Sequence, residues 1–105
     1  MYRVIFEHHP KEGQEEQFIR QWQAGSDIIQ TYPGARGTLL FRSLDDPKVL
    51  YAMADWESKA ARDAAMEAIE QREDAEMVMA AHEQYLDSHT TILSAELVGV
   101  SRLQS

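Results

Sequence analysis

Residues 36–56 read RGTLLFRSLDDPKVLYAMADW and contain the clearest structural signal in the chain. The two flanks, RGTLLFRSL and KVLYAMADW, are rich in residues that favour β-strands. Between them stand Asp45, Asp46 and Pro47, which turn a chain because aspartate side chains bond to nearby backbone and proline fixes φ. Two strand patterns joined by a short turn predict a β-hairpin.

The sequence before this hairpin predicts a strand followed by a long helix. Residues 2–9, YRVIFEHH, alternate as a strand does, and we expect Pro10 to close it because proline lacks the N–H for the next ladder bond. Across residues 11–32, apolar side chains recur every three or four positions, the spacing of an amphipathic helix. Pro33 and Gly34 then end that helix.

The sequence after the hairpin predicts more helix and a last strand. Ser58 is a suitable N-cap for the alanine-rich residues 59–71. A second helical pattern covers residues 75–86 after an acidic break, so we expect two short helices or one helix that bends. Residues 90–102, TTILSAELVGVSR, are β-branched and mostly alternating, which favours a fourth strand.

The order strand, helix, strand, strand, helix, strand predicts an α+β ferredoxin-like fold, a four-stranded antiparallel sheet with both helical segments on one face. A chain of 105 residues has room for one core, so we expect a single domain over residues 1–105. The strands are apolar on both faces, as Val4 and Phe6 alternate with Ile5. A second sheet must therefore cover the face that the helices leave bare. We expect a homodimer through the sheet, a dimeric α+β barrel, in which Tyr51 meets the partner sheet.

Composition excludes several classes of partner. A formal net charge of -8, with ten Lys and Arg residues scattered singly among acids, argues against nucleic acid as a partner. No apolar run approaches the roughly 20 residues that span a bilayer, and the chain opens on a strand pattern where a signal peptide would have basic and apolar residues. We therefore expect no membrane partner and a cytoplasmic location. The absence of cysteine leaves histidines and carboxylates to carry any ionisable chemistry.

Four stretches resemble the antibiotic biosynthesis monooxygenase family of small dimeric α+β barrel proteins. The resemblance covers almost the whole chain, and it is carried by KEGQEE (11–16), YPGARGTLLFR (32–42), LYAMADWESKAA (50–61) and AAHEQYL (80–86). It implies the same fold that the order of elements predicts. It also implies a small apolar or aromatic molecule as the ligand.

Members of this family that have known chemistry are of at least two kinds. Some oxygenate phenolic polycyclic compounds or quinols with molecular oxygen and without metal or flavin. In these proteins, deprotonation makes the substrate electron-rich enough to reduce oxygen, so a dry pocket, a base and hydrogen-bond donors suffice. Others bind haem through a histidine and degrade it.

Only some of the residues that characterise the oxygenase members are present at the matching positions of this chain. Trp56 matches the tryptophan of the oxygenase members. Those members have an asparagine where this chain has Ala52, and an aromatic hydroxyl where it has Arg62. Two polar groups that would handle the substrate are therefore absent from those positions.

The residues that characterise the haem-degrading members are also only partly present in this chain. His82 matches the histidine that binds haem, but Phe6 or Glu7 stands where an asparagine is expected. Ala65 lies near the position of a tryptophan that crowds the haem. This pattern disfavours haem degradation.

The candidate site combines one base with a set of wall residues. His82 lies on the apolar stripe of its helix, which suits a core histidine as well as a pocket base, and it is the candidate catalytic residue. Small side chains on one strand face either let helices pack closely or leave a ligand cavity. Bulky residues at helical spacing could line such a cavity, but the same spacing is typical of ordinary core. The candidate substrate-binding residues are Trp56, Ala52, Ala54, Trp22, Arg62 and Tyr85.

Neither a metal nor another cofactor is expected. His8 and His9 are neighbours on one strand, so their side chains leave opposite faces and cannot bind the same ion.

Three functions follow from these residues. The first is a cofactor-independent monooxygenase acting on an aromatic or quinol-like molecule, with His82 as base and Trp56 as pocket wall. The second is a non-catalytic small-molecule-binding or stress-related dimer, which would hold an apolar ligand without turnover. The third is haem binding through His82. Whether the chain is an enzyme is left open at this point.

Overall fold

The computed structural model describes residues 1–79 and 82–102, with only the backbone of His82 and Glu83. The elements, in chain order, are β1 (Tyr2–Pro10), α1 (Glu15–Ile29), β2 (Ala35–Arg42), β3 (Leu50–Trp56), α2 (Lys59–Glu70), α3 (Ala75–Val78), α4 (His82–Tyr85) and β4 (Leu86–Glu96). Among the described residues, no helix combines the length and apolarity that crossing a bilayer requires.

The four strands form one antiparallel sheet in the order β2-β3-β1-β4. The first strand and the hairpin are therefore neighbours through β3, whose Ala52 pairs with Phe6 on one side and Leu40 on the other. This topology confirms the predicted ferredoxin-like α+β fold.

Local hydrogen bonds explain why two of the predicted boundaries hold. In the hairpin turn, the Ser43 hydroxyl accepts a hydrogen bond from the Asp46 N–H at 3.1 Å, and the Asp46 carboxylate accepts one from the Lys48 N–H at 3.2 Å. At the start of α2, the Ser58 hydroxyl accepts a hydrogen bond from the Ala61 N–H at 3.1 Å. This bond satisfies one of the N–H groups that a helix leaves without an intrahelical partner, and it confirms the predicted N-cap.

Other boundaries differ from the prediction because pairing across the sheet overrides local composition. Pro10 belongs to β1 instead of closing it, and it pairs with Leu86 beside an irregularity in the ladder, where a missing N–H is tolerated. Strand β4 begins at Leu86, four residues before the predicted start at Thr90, because β1 continues far enough to pair with it. The second helical pattern forms two single turns, α3 and α4.

Between the helices and the sheet, buried side chains of the described residues form two clusters. One cluster contains Tyr2, Val4, Trp56 and Ala65. The other contains Phe18, Leu50 and Leu86. Packing between the helices and the sheet is thus strongest at the two ends of the strands.

The opposite side of the sheet carries apolar side chains that no described part of the chain covers. Leu39 is 52% exposed and Phe41 is 51% exposed, although both lie on a strand of a four-stranded sheet. Their partners across the ladder are Met53 and Tyr51. We call the face that contains Ile5, Leu39, Phe41, Tyr51, Met53 and Leu93 the open face.

Candidate functional site

A cavity of about 310 Å³ lies between the sheet and the helices. This volume is at the lower end of the range of small-molecule sites, roughly 300 to 1,000 Å³. The side chains that line it from the sheet include Val4, Phe6, His8, Ala52, Ala54 and Trp56. Those that line it from the helices include Trp22, Ser26, Ile29, Arg62, Met66 and Val78.

The cavity exists because β3 presents small side chains to the helices. Ala54 lies between Val4 of β1 and Thr38 of β2, and Ala52 occupies the next position on the same face. Ala54 is only partly buried, although it faces inward on an interior strand. The helices therefore do not close down on the sheet at this point, and the space above Ala54 stays open.

Five of the six predicted substrate-binding side chains meet at this cavity. They are Trp22, Ala52, Ala54, Trp56 and Arg62. The sixth, Tyr85, is not among the lining residues and packs instead against the cluster of Phe18, Leu50 and Leu86, since α4 delivers it to that end of the sheet. The structure therefore does not place Tyr85 with the other five at the cavity.

The predicted base, His82, is the first residue of α4. Its side chain lies outside the described residues, so its role as base stays a prediction.

Sequence reasoning missed two histidines that line the cavity, His8 and His89. His8 is only 2% exposed and packs on Phe18, with ring centroids 5.0 Å apart. Strand alternation could have identified His8, because it places this residue on the same face as Val4 and Phe6. The position of His89 carried no such signal, since it depends on how β4 pairs with β1.

A β-bulge brings His89 to His8. From Ile5 to Phe6 the partner on β4 changes from Leu93 to Thr91, so Ile92 is an extra residue on that strand. Without the bulge, Thr90 would stand opposite His8. With it, His89 does, and the two imidazole centroids are 6.0 Å apart.

The wall of the cavity is mainly apolar, with few polar groups. Of the described residues that line it, three carry ionisable side chains: His8, Arg62 and His89. Arg62 comes from the first turn of α2, which starts just after Trp56, whereas His8 pairs with Leu50 at the other end of β3. A cationic group and an imidazole pair thus mark opposite ends of the site.

Arg62 makes a long ion pair with the next residue on its helix. Its Nη1 lies 3.5 Å from Asp63 Oδ1, but Lys59 donates the shorter bond to Asp63, at 2.8 Å. That bond is the main reason why the pKa of the Asp63 carboxyl lies below its ordinary value, and Arg62 contributes less. Arg62 therefore places a guanidinium, a group suited to binding carboxylates and other anions, at this end of the cavity.

A second polar cluster lies on the open face, outside the cavity. Glu7 interacts with His9 Nε2 at 3.0 Å and accepts a hydrogen bond from the Tyr51 hydroxyl at 3.2 Å. The hydrogen bond to His9 lowers the pKa of Glu7, and Tyr51 adds to the effect. Where side chains are described, His, Asp and Glu residues do not gather in groups of three that could hold a metal ion.

Comparison with known proteins identifies the family and the fold. The antibiotic biosynthesis monooxygenase family profile matches residues 1–84. No curated protein is significantly similar in sequence.

Several solved structures share the architecture. A protein from Deinococcus radiodurans, named as a proposed antibiotic biosynthesis monooxygenase, has a TM-score of 0.79 at 8% identity, with all of both chains covered. Rv0793 from Mycobacterium tuberculosis has a TM-score of 0.71 at 18% identity, covering 95% of this chain and 98% of its own. PA3566 from Pseudomonas aeruginosa has a TM-score of 0.73 at 15% identity, covering 93% and 94%. At such identities these likenesses establish the fold alone.

Proposed function

Because the chain belongs to the antibiotic biosynthesis monooxygenase family, we propose that it is a cofactor-independent monooxygenase that oxidises an aromatic or quinol-like small molecule with molecular oxygen. The observation that supports this most is the cavity over Ala52 and Ala54, which is walled by Trp22 and Trp56 and has few polar groups. A flat aromatic molecule fits such walls, since aromatic rings pack well against indole faces.

The reaction needs no redox group in the protein. A phenolic substrate that loses its proton keeps the electron pair on oxygen, and this anion is electron-rich enough to reduce molecular oxygen. Where the oxidised position is a ring CH2 group, its carbon keeps one atom of the oxygen molecule as a carbonyl oxygen. The other oxygen atom leaves as water, which contains the two hydrogens of that CH2 group. The protein has to accept the first proton, hold the ring and exclude bulk water.

Three residues are proposed for these tasks. His82 is the proposed base, and Trp56 is the proposed wall against which the substrate lies. Trp56 suits this role because it is 3% exposed and held at the end of β3 opposite Tyr2. Arg62 is the proposed partner for an anionic substituent.

The test is oxygen consumption by the purified protein with a panel of quinols, naphthols and anthrones. The expected result is uptake of one oxygen molecule for each substrate molecule, with one labelled atom in the product when ¹⁸O₂ is supplied. Replacement of His82 by alanine is expected to abolish uptake while the fold survives. Retained uptake in that variant would remove His82 from the mechanism.

Binding can be followed independently of turnover. The chain has two tryptophans, Trp22 and Trp56, and both line the cavity, so a ligand there should quench the intrinsic fluorescence. Saturable quenching with no oxygen uptake across the panel would favour a non-catalytic small-molecule-binding protein. A Soret band on addition of haem that disappears in the His82 variant would favour haem binding.

We also propose that the protein is a homodimer through its open face. Leu39 and Phe41 are each about half exposed there, beside Met53 and Tyr51. A copy of the same face related by two-fold symmetry would bury these side chains without any further sequence.

A further inference from the structure

Two side-chain hydroxyl groups line the cavity, and sequence reasoning singled out neither of them. Among the described lining residues, they belong to Ser26 of α1 and Thr38 of β2. Ser26 is 6% exposed, whereas Thr38 is only partly buried and also borders a groove between α1 and β2. The Ser26 hydroxyl is therefore the one that a bound molecule would meet away from bulk water.

Helical spacing places Ser26 over the middle of the cavity. Trp22, Ser26 and Ile29 are four and three residues apart, so they share one face of α1, and all three line the cavity. Trp22 packs against the buried cluster at the Leu50 end of β3, and Ile29 packs against the cluster at the Trp56 end. Ser26 therefore lies between the two clusters, on the side of the cavity that faces the small residues of β3.

A serine at this position has a cost that an alanine would avoid. Serine has a lower helix propensity than alanine, and burial of a hydroxyl is unfavourable unless the group forms a hydrogen bond. An alanine would continue the apolar stripe of α1 without either penalty. A hydrogen bond from Ser26 to a bound ligand would offset the cost, since a hydroxyl can rotate to donate one hydrogen bond and can accept others.

We propose that the Ser26 hydroxyl donates a hydrogen bond to an oxygen substituent of the aromatic ligand, and thereby fixes which edge of the ring system faces α1. This inference rests on the proposed function, which requires hydrogen-bond donors in the cavity. Ala52 and Arg62 stand where the oxygenase members have an amide and an aromatic hydroxyl, and Ser26 supplies a neutral donor from another element. The ligand is then a flat aromatic molecule with a carbonyl or phenolic oxygen on the edge next to the middle of α1.

This role complements that of the proposed base. His82 keeps the proposed task of accepting the phenolic proton, and Ser26 donates to the oxygen on which the electron pair remains. Hydrogen bonds to a charged oxygen are stronger than those to a neutral one. The bond from Ser26 would therefore strengthen as the phenolate forms, which favours the deprotonated ligand.

The test uses 9-fluorenone and fluorene, two flat molecules of similar size of which only 9-fluorenone has a carbonyl oxygen. Tryptophan quenching gives both affinities without turnover, and infrared difference spectra give the C=O stretching band of bound 9-fluorenone. A hydrogen bond donated to the carbonyl oxygen moves this band to lower wavenumber than in an apolar solvent, and we expect that shift in the wild-type protein. In Ser26→Ala the band should return to its apolar position, with binding of 9-fluorenone about fivefold weaker and binding of fluorene within about twofold.

Two further variants separate the hydrogen bond from changes in cavity shape. Ser26→Cys keeps the shape of the side chain but offers only a weak donor, so it should lose the band shift as Ser26→Ala does. Thr38→Val removes the other lining hydroxyl without changing its size, and it should keep both the band shift and the affinity for 9-fluorenone within about twofold of the wild type.

The role of Ser26 would be overturned by a wild-type protein that does not bind 9-fluorenone, or that binds it with the band at its apolar position. The second result is expected if the hydroxyl donates instead to the carbonyl of Trp22, four residues earlier, as serines in helices can. A band shift that survives in Ser26→Ala would also overturn it, because the donor would then be another group.

The outcomes separate this proposal from the proposed function. A band shift that depends on Ser26, in a protein that consumes no oxygen with any quinol, would support the role of Ser26 and reject the monooxygenase. If turnover is found, Ser26→Ala should lower kcat by about tenfold or more, since it removes a donor to the oxygen that becomes charged.

Discussion

Gly25 of α1 lies against the backbone carbonyl of Val78 in α3, so closely that a Cβ atom on Gly25 would be 2.4 Å from that oxygen. The contact sets the distance between the long helix and the single turn that closes one side of the cavity. Val78 is itself buried and lines the cavity. The shape of the site therefore depends on a missing side chain in the middle of a helix.

Replacing Gly25 by alanine should destabilise the protein. In an unconstrained helix this change is favourable by about 1 kcal/mol. Here the new methyl group must push α3 away, and we expect a net loss of about 1–3 kcal/mol in the free energy of unfolding, as for overpacked cores. Urea denaturation measures it. Gln23→Ala, on the exposed side of the same helix, is the control, and its free energy of unfolding should stay within about 0.5 kcal/mol of the wild type. A Gly25→Ala variant as stable as the wild type, or more stable, would show that α3 moves away from α1 without loss.

Filling the cavity from β3 should block binding and leave the fold intact. Leucine at position 54 would occupy the open space above Ala54, because that side chain faces the cavity between Val4 and Thr38. We expect at least about a tenfold loss of affinity for aromatic ligands, measured by tryptophan quenching. Tyr51→Phe changes the opposite face of the same strand and serves as the control. Unchanged affinity in Ala54→Leu would place the ligand elsewhere.

Arg62 should discriminate between anionic and neutral ligands. A hydrogen bond to a charged group contributes about 1.5–3 kcal/mol, so Arg62→Gln should weaken binding of a naphthoate by roughly tenfold or more. Binding of the matching naphthalene should change little, because it offers no anion to the guanidinium. Arg20→Gln removes a cation from the exposed side of α1, where it pairs with Glu16, and should affect neither ligand. Equal losses for both ligands would indicate a packing role for Arg62.

Acid should weaken the fold partly through Glu7. Its pKa is held below the ordinary value of 4.5 by the hydrogen bond to His9 and then by Tyr51. A depressed carboxyl pKa contributes stability that is fully present above 4.5 and is lost as the pH falls through the lower, folded-state pKa. Urea midpoints between pH 3 and 6 should therefore fall less steeply in Glu7→Gln than in the wild type. Glu67→Gln, an exposed change on α2, is the reference, and identical slopes in all three proteins would contradict the coupling.

A charge on the open face should dissociate the proposed dimer. Phe41→Glu places a carboxylate among Leu39, Tyr51 and Met53, where a partner sheet would bury it without a counter-ion. Sedimentation should then report a monomer of 12.0 kDa. Leu44→Glu is the matched control, since Leu44 is 96% exposed in the hairpin turn and away from the sheet face. A wild-type protein that sediments as a monomer would reject the interface.

Much of the site could be predicted from the sequence because its wall residues lie on regular elements. Alternation along β3 puts Ala52, Ala54 and Trp56 on one face, and helical spacing puts Trp22 on the inner side of α1. Tyr85 was expected beside these residues because the pattern through residues 75–86 forms one helical stripe. In the structure that stripe is split between α3 and α4, so its end packs on a different cluster.

The sequence by itself determined the type and order of the elements, and hence the ferredoxin-like fold, because alternation, helical spacing, the Ser58 cap and the turn at Asp45 and Asp46 act within a few residues. It also determined that His8 shares its strand face with Val4 and Phe6, by alternation along β1. Only the tertiary structure decided that His89 stands opposite His8, because one extra residue at Ile92 shifts the pairing of β4 by one position. Strand register joins residues that lie far apart in the chain, so the environment of an imidazole there follows from packing of the whole sheet and not from its neighbours in sequence.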